Sequence, residues 1–427
     1  MNTKRYDVIV VGAGLAGLVS GIKLQQAGKR VLIIERLARA GGLVGTHQLN
    51  GFEYVIAAND FGKRMADTIR NLGVDVEFTH PKAKMHFDTD EITLPPNGKT
   101  LVGLLKHVPG LINFIRAIRK PENAEAMLGP LVEAKVKNPK TQDLIKHVSY
   151  AFGIQPNELP ISLLKDETPF KYQAAKFCTP KGGPQVLIDR MLDKFLTQGE
   201  LKLSTWVLDI QDEGTHKRVV TEEGEYLAEV VVSSIPQWQS YPKEFKSGLS
   251  VSMFSVALGQ EVKFPKDVHS LIYYPRHVSQ WFGQIEAGEQ PEDFGFHLFP
   301  NYYPGRDYFS VNVYFYLPRG VEALSDEATE ALKARVFQRI EKLVPGFNSG
   351  IKDCQFIPPK RFNEIHHLWS RNSAFITAPG FQKPGNLSDT GVYQVGNSVY
   401  PPGSHAGAAV FSGEWVAEKI LDKEVTA

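Results

Sequence analysis

Two kinds of apolar pattern divide this chain. From Tyr6 to Val11 the residues run YDVIVV, rich in β-branched side chains and without a polar face, as in a parallel strand buried on both sides. Leu15, Leu18, Val19 and Ile22 then recur at helical spacing, and Gly28 stands where a helix C-cap glycine belongs. Arg30 to Ile34 (RVLII) reads as a second apolar strand. Residues 6–34 therefore predict a β–α–β unit. Residues 250–318 instead alternate in a strand-like manner and are dense in aromatics, among them Phe254, Tyr273, Tyr274, Trp281, Phe282, Phe296, Phe299, Tyr314 and Tyr316. They predict a sheet that walls an apolar pocket, most of its rings lying in the core.

Between these regions lies a basic amphipathic helical stretch, residues 94–130. Leu101, Val102, Leu104, Leu105, Val108, Leu111, Ile112, Phe114, Ile115 and Ile118 alternate with Lys106, His107, Arg116, Arg119 and Lys120, with a break near Pro109-Gly110. The expected arrangement is a helix that covers the substrate cavity and faces the core. The alternative is peripheral contact with a membrane surface.

Composition narrows the class. At 427 residues the chain is too long for one compact core and fits two interleaved domains. Lys plus Arg total 48 and Asp plus Glu 47, so there is no overall basic field to hold nucleic acid. Two distant cysteines, Cys178 and Cys354, do not suggest a disulfide framework, and the expected compartment is the cytoplasm. The N-terminal apolar run flows straight into the glycine motif, so it reads as structure and not as a secretory signal.

That motif is Gly12-Ala13-Gly14-Leu15-Ala16-Gly17, set between strand and helix. Gly12 permits the tight turn, Gly14 lets the backbone approach a pyrophosphate, and Gly17 lets helix and strand pack closely. The N–H groups at Leu15 and Ala16 open the helix and face the phosphates. Glu35 follows Gly17 by 18 residues, where an acid can bond both ribose hydroxyls. This constellation specifies a dinucleotide but does not choose which one.

The choice comes from a resemblance. Arg36, then Arg39-Ala40-Gly41-Gly42-Leu43-Val44-Gly45-Thr46, is similar to the R-x-G-G-x-x-x-T loop of the flavin amine oxidase and phytoene desaturase superfamily. Lys181-Gly182-Gly183-Pro184 to Ile188 resembles that family's second glycine-led helix. Leu201 to Val207 resembles its following strand, and Val230 to Ile235 its return strand. The C-terminal block resembles the family most strongly: Gly391-Val392-Tyr393-Gln394-Val395-Gly396-Asn397, then Tyr400-Pro401-Pro402-Gly403-Ser404-His405-Ala406-Gly407-Ala408-Ala409. The resemblance implies bound FAD. Arg36, Gly41, Gly42 and Leu43 would lie along its pyrophosphate and ribityl chain, Val207 at its adenine, and Gly396, Asn397, His405 and Ala406 beside the flavin. The implied fold is α/β, a Rossmann-type FAD-binding domain (1–90, 171–240 and 381–427) plus an α+β substrate domain with a mixed sheet (91–170 and 241–380).

Two departures stand out. Asn397 replaces an acid common in relatives, and an amide can still donate and accept. In Gly51-Phe52-Glu53-Tyr54-Val55-Ile56-Ala57-Ala58-Asn59-Asp60, Val55 and Ala57 replace an acid and a glycine on a segment that normally reaches the flavin ring.

The expected chemistry is hydride transfer to the flavin from a largely apolar small molecule, such as an amine, an isoprenoid or a specialised metabolite. His405, Asn59, Asp60 and Tyr400 are the candidate residues at the ring, though an acid such as Asp60 is commonly a solvated loop group. His86, His107, His147, His297 and the pair His366-His367 show no metal-ligand spacing with partner acids or cysteines. With a single dinucleotide motif, oxygen or a quinone is the expected oxidant. A flavin-dependent isomerase and a non-catalytic escort protein are the rival readings on the same fold.

Overall fold

The computed structural model describes residues 4–87, 90–161, 177–235, 246–265, 267–289, 291–366, 375–376, 391–396, 399 and 406–426. In chain order, the nucleotide half begins with β1 (Lys4–Val11), α1 (Leu15–Gln26), β2 (Val31–Ile34), β3 (Thr46–Leu49) and β4 (Phe52–Val55). Next come β5 (Lys82–Phe87), β6 (Asp90–Leu94), α2 (Gly98–Leu105) and α3 (Val108–Ile118). A return segment gives α4 (Pro184–Phe195), β7 (Glu200–Lys202), β8 (Val207–Asp212), β9 (Lys217–Thr221) and β10 (Gly224–Ser233). The second half supplies β11 (Ser250–Gly259), β12 (Val268–Tyr274), α5 (Val278–Glu286), β13 (Phe296–Tyr302), β14 (Tyr308–Leu317), α6 (Asp326–Leu343) and β15 (Ile351–Ile357). The chain closes with β16 (Val392–Gln394) and α7 (Ala406–Thr426).

Two seven-stranded sheets organise these elements. The first runs β7-β2-β1-β10-β9-β8, with β16 also on β10. Its centre is parallel, with Val8 opposite both Val31 and Val230, and Val231 opposite Val392. The doubly buried run at Val8 to Val11 follows from helices packing on one face, against Val8 and Val10, and from Val219, Val207 and Ile210 of β9 and β8 clustering with Ile9 and Val11 on the other. β16 is a strand from near the end of the chain, and it completes the same sheet that the first strand starts.

The second sheet runs β15-β11-β14-β13-β12-β5-β6 and is antiparallel except where β5 meets β12. One face packs Phe254, Leu298, Val313 and Phe315 against Leu332, Val336, Phe337 and Ile340 of α6. The other face turns toward the loop that follows β4. β5 and β6 place residues 82–94 in this second sheet, so the chain crosses between sheets before residue 82 and not at 90. Two further expectations change. Val278 to Glu286 is helical, with Trp281 and Phe282 buried on one side at i and i+1 beside Val278 and Ile285. The single strand expected from Leu201 to Val207 is split by a turn at Ser204 (φ +51°) into β7, parallel to β2, and β8, an edge strand.

Candidate functional site

The first strand hands the chain to α1 through three glycines that do different work. Gly12 has φ +102°, and a Cβ there would lie 2.0 Å from Ser234 Oγ. Ser234 donates from N and Oγ to Val11 O at 2.9 and 3.0 Å, so the turn is wedged against the end of β10. A Cβ on Gly17 would lie 2.0 Å from Gly12 O, which fixes how closely α1 sits on its own entry loop. Gly14 faces open space, with nothing within 4 Å of a Cβ position. It caps α1 in extended geometry (φ −74°, ψ 178°), and among the described residues no side chain accepts from the first turn. The first intrahelical bond runs from Leu18 N to Gly14 O at 2.9 Å, so the N–H groups of Leu15, Ala16 and Gly17 precede the ladder. Free donors, room and the positive helix end together suit a phosphate.

The second glycine loop builds the wall beside this seat. Gly41 N donates to Ala13 O at 2.8 Å, and Gly14 and Gly41 pair as an isolated parallel bridge. Gly42, at φ +59°, puts its Cβ position 3.4 Å from Gly14 Cα. The Arg39 guanidinium holds Gly42 O at 2.9 Å, and Leu43 O accepts from Ala58 N at 3.0 Å. Glu35 is buried at the end of β2. Its Oε2 accepts from Ala13 N at 2.8 Å and its Oε1 from Leu37 N at 2.9 Å. The carboxylate thus orders both loops and keeps lone pairs for a ribose. Arg36 is turned away from this cluster: it donates to the carbonyls of Glu364 and Ile365 and lies 5.2 Å from the Trp206 ring centre. It ties the segment after β2 to the helix Pro359–His366. Val207 is half-buried at the start of the edge strand β8.

The end of the chain closes over the same region. Val395 N donates to Ser233 O, and Gly396 (φ +111°) donates from N to Ser412 Oγ, both at 2.9 Å. A Cβ on Gly413 would lie 2.3 Å from Ala16 O, so α7 packs backbone to backbone on α1. Lys23 reinforces the contact with Glu418 at 2.6 Å and Glu414 at 3.6 Å. Ala406 packs on the same apolar core as Ala13 and Leu15. Asn397, Tyr400 and His405 lie outside the described residues. Among the residues described, the cradle fits FAD: phosphate donors, a ribose acid, two glycine walls and a small-residue helix start.

Asn59 and Asp60 join the nucleotide loop to the second sheet. Asn59 donates from Nδ2 to Ala57 O at 2.7 Å and to Tyr314 Oη at 3.1 Å, and its Oδ1 accepts from Asn301 Nδ2 at 2.9 Å. Tyr314 also donates to Ala57 O, and Asn312 Nδ2 donates to Val55 O at 3.0 Å. Asp60 is not the solvated acid that its loop position suggests, since its side chain is only 11% exposed. Burial pushes its carboxyl up to about 7, opposed by a hydrogen bond with Ser270. Ser270 Oγ lies 2.7 Å from His297 Nε2, and His269 Nε2 lies 3.0 Å from Asn59 O and 3.7 Å from Asp60 Oδ1. A register shift between Val268 and Ser270 marks an extra residue in β12, the kind of bulge that re-aims a side chain such as His269. Burial holds both histidines neutral, His297 down at about 3 and His269 below its usual value. Sequence reasoning missed His269, Ser270, Asn301 and Asn312, and placed Tyr314 only among the aromatic residues of the sheet. The available signal was polar residues recurring at alternate positions in otherwise apolar strands.

Asp60 gives the fold a pH dependence of known sign. Its folded pKa, about 7, exceeds the ordinary 3.8, so its contribution is full below the ordinary value and is lost as pH rises through about 7. Asp60→Asn should remove this term. Denaturant unfolding should show the wild type losing ground to the variant between about pH 4 and pH 7, by at most about 4 kcal/mol. A gap that stays constant with pH would refute the assignment.

No group of three or more potential metal ligands occurs among the described residues. The sequence profile of the flavin containing amine oxidoreductases matches residues 15–421. The neurosporene-forming phytoene desaturase of Rhodobacter capsulatus is 25% identical over 501 aligned positions, 97% of this chain and 94% of that one. An oxidoreductase from Methanosarcina mazei shares the fold with a TM-score of 0.67 at 16% identity, over 96% of this chain and 99% of that one. Cyclohexylamine oxidase from Brevibacterium oxydans does so with 0.66 at 13% identity, over 98% and 99%.

Proposed function

Because the chain belongs to the flavin containing amine oxidoreductases, we propose that it takes a hydride from an uncharged, apolar organic molecule, of isoprenoid type in preference to a cationic amine. The chain is an FAD-dependent oxidoreductase of small molecules. Bound FAD supplies the hydride acceptor. The protein's part is to hold the substrate against it and to keep water out.

One observation carries the substrate preference. The loop after β4 meets one face of the second sheet, and the middle five strands put only uncharged residue types and the two histidines His269 and His297 toward it. Met85 and Phe87 come from β5, Ile272 and Tyr274 from β12, Phe299 from β13, Tyr314 and Tyr316 from β14, and Met253 from β11. Asp, Glu, Lys and Arg are absent from the alternate positions that share it. An ammonium group would find no acid on the sheet itself and only the buried carboxyl of Asp60 on the facing loop, which burial disfavours in its charged form, whereas a hydrocarbon would find apolar contacts across the face.

The oxidant in this reading is oxygen or a quinone. Anaerobic mixing of the FAD-loaded protein with an acyclic isoprenoid hydrocarbon should bleach the visible flavin band, and air or a quinone should restore it. Bleaching by aliphatic amines alone, or turnover confined to chemically reduced protein, would overturn the proposal.

A further inference from the structure

We propose that α2 and α3 form a docking surface for an anionic membrane. The expected core-facing helix is not what these residues make. On α2 Leu101, Val102 and Leu105 are 57%, 69% and 66% exposed, and only Thr100 is buried. On α3 Val108, Ile112 and Ile115 are also exposed, while Phe114 and Ala117 on its other side anchor it to a separate small core with Leu128, Leu131 and Val132. Six exposed large apolar residues on two consecutive helices point to an interaction site.

The cluster is held out by specific bonds. Asn97 caps α2 by accepting from Thr100 N at 2.8 Å, and Thr100 Oγ1 accepts from Thr93 N at 3.0 Å. At the vertex, buried His107 places Nδ1 2.8 Å from Thr141 Oγ1. The two helices meet at a bend of 78°, and no single helix among the described residues is long and apolar enough to cross a membrane. Two short helices with apolar flanks set at an angle suit the boundary between headgroups and acyl chains.

Charge selects the partner. Between Ile92 and Pro121 the chain carries Lys99, Lys106, Arg116, Arg119 and Lys120 and no acid, in a protein whose net charge is +1. Lys106 is answered by Asp90 at 2.7 Å and Lys120 by Glu122 at 3.5 Å. Lys99, Arg116 and Arg119 remain exposed beside the apolar residues. A symmetric contact with a second copy would set these cations against their own copies. Anionic headgroups would meet them with opposite charge while the acyl boundary takes the leucines.

The FAD-loaded full chain tests this by co-sedimentation with vesicles of phosphatidylcholine containing about one-third phosphatidylglycerol. Partitioning should fall about ten-fold on pure phosphatidylcholine or in high salt. It should fall about a hundred-fold in Leu101→Asp/Val102→Asp/Leu105→Asp and about ten-fold in the milder Leu101→Gln/Val102→Thr/Leu105→Gln. An unchanged flavin spectrum and melting temperature check the fold of each variant, and the milder one decides if the other misfolds. No vesicle binding by the wild type would overturn the proposal. So would undiminished binding by a folded variant, or vesicle-free self-association that the variants abolish. The vesicles carry no substrate, so the outcome does not depend on the substrate reading.

Discussion

Gly14→Ala is expected to fold as well as the natural chain and to bind FAD about a hundred-fold more weakly, a loss of about 2.7 kcal/mol. Gly14 has φ −74° and ψ 178°, which alanine adopts without strain. Nothing lies within 4 Å of the added methyl. The protein therefore has no reason to resist the change. The methyl instead occupies the space in front of the Leu15, Ala16 and Gly17 N–H groups, where the pyrophosphate approaches. Flavin titration of the stripped protein, beside melting curves without flavin, would show the two effects separately. A variant that keeps its affinity would place the phosphates elsewhere.

Gly17→Ala is expected to fail in both measurements. Its methyl would lie 2.0 Å from Gly12 O and 3.2 Å from Val10 Cγ1. The nearer atom is backbone, so no side-chain rotation relieves the clash, and the first turn of α1 must lift from β1. Overpacking of this kind costs about 1–3 kcal/mol. The flavin-free protein should therefore melt several degrees lower, and flavin should not rescue it, because α1 also carries the contact with Gly413 of α7. Equal melting temperatures for the two variants in the absence of flavin would contradict this division of labour between neighbouring glycines.

The contrast between these glycines also marks how far the sequence could be read. The β1–α1–β2 unit and the Arg39 to Thr46 loop follow local rules: apolar runs, helical spacing, and glycine where the backbone needs φ above zero. Gly12, Gly41 and Gly42 all have it. The pairing of β16 with β10 and of α7 with α1 was implied only by resemblance, because no local pattern records which distant strand a short run such as Val392 to Gln394 will join. The state of Asp60 was illegible for a similar reason. Its loop looks like an exposed turn, and it is buried only because β12 and β14 arrive from more than 200 residues away. Leu101, Val102 and Leu105 show the opposite error. Their spacing belongs to an amphipathic helix, and spacing alone does not say whether the apolar side meets protein or something outside it.

Residues near both ends of the chain come together to enclose one FAD. A crystal structure of the protein grown with excess FAD tests this most directly. The pyrophosphate should lie against the N–H groups of Leu15 and Ala16, the ribose on Glu35, and the ring system beside the start of the helix at Ala406. Density for the cofactor anywhere else, with the space in front of Gly14 filled only by water, would contradict it.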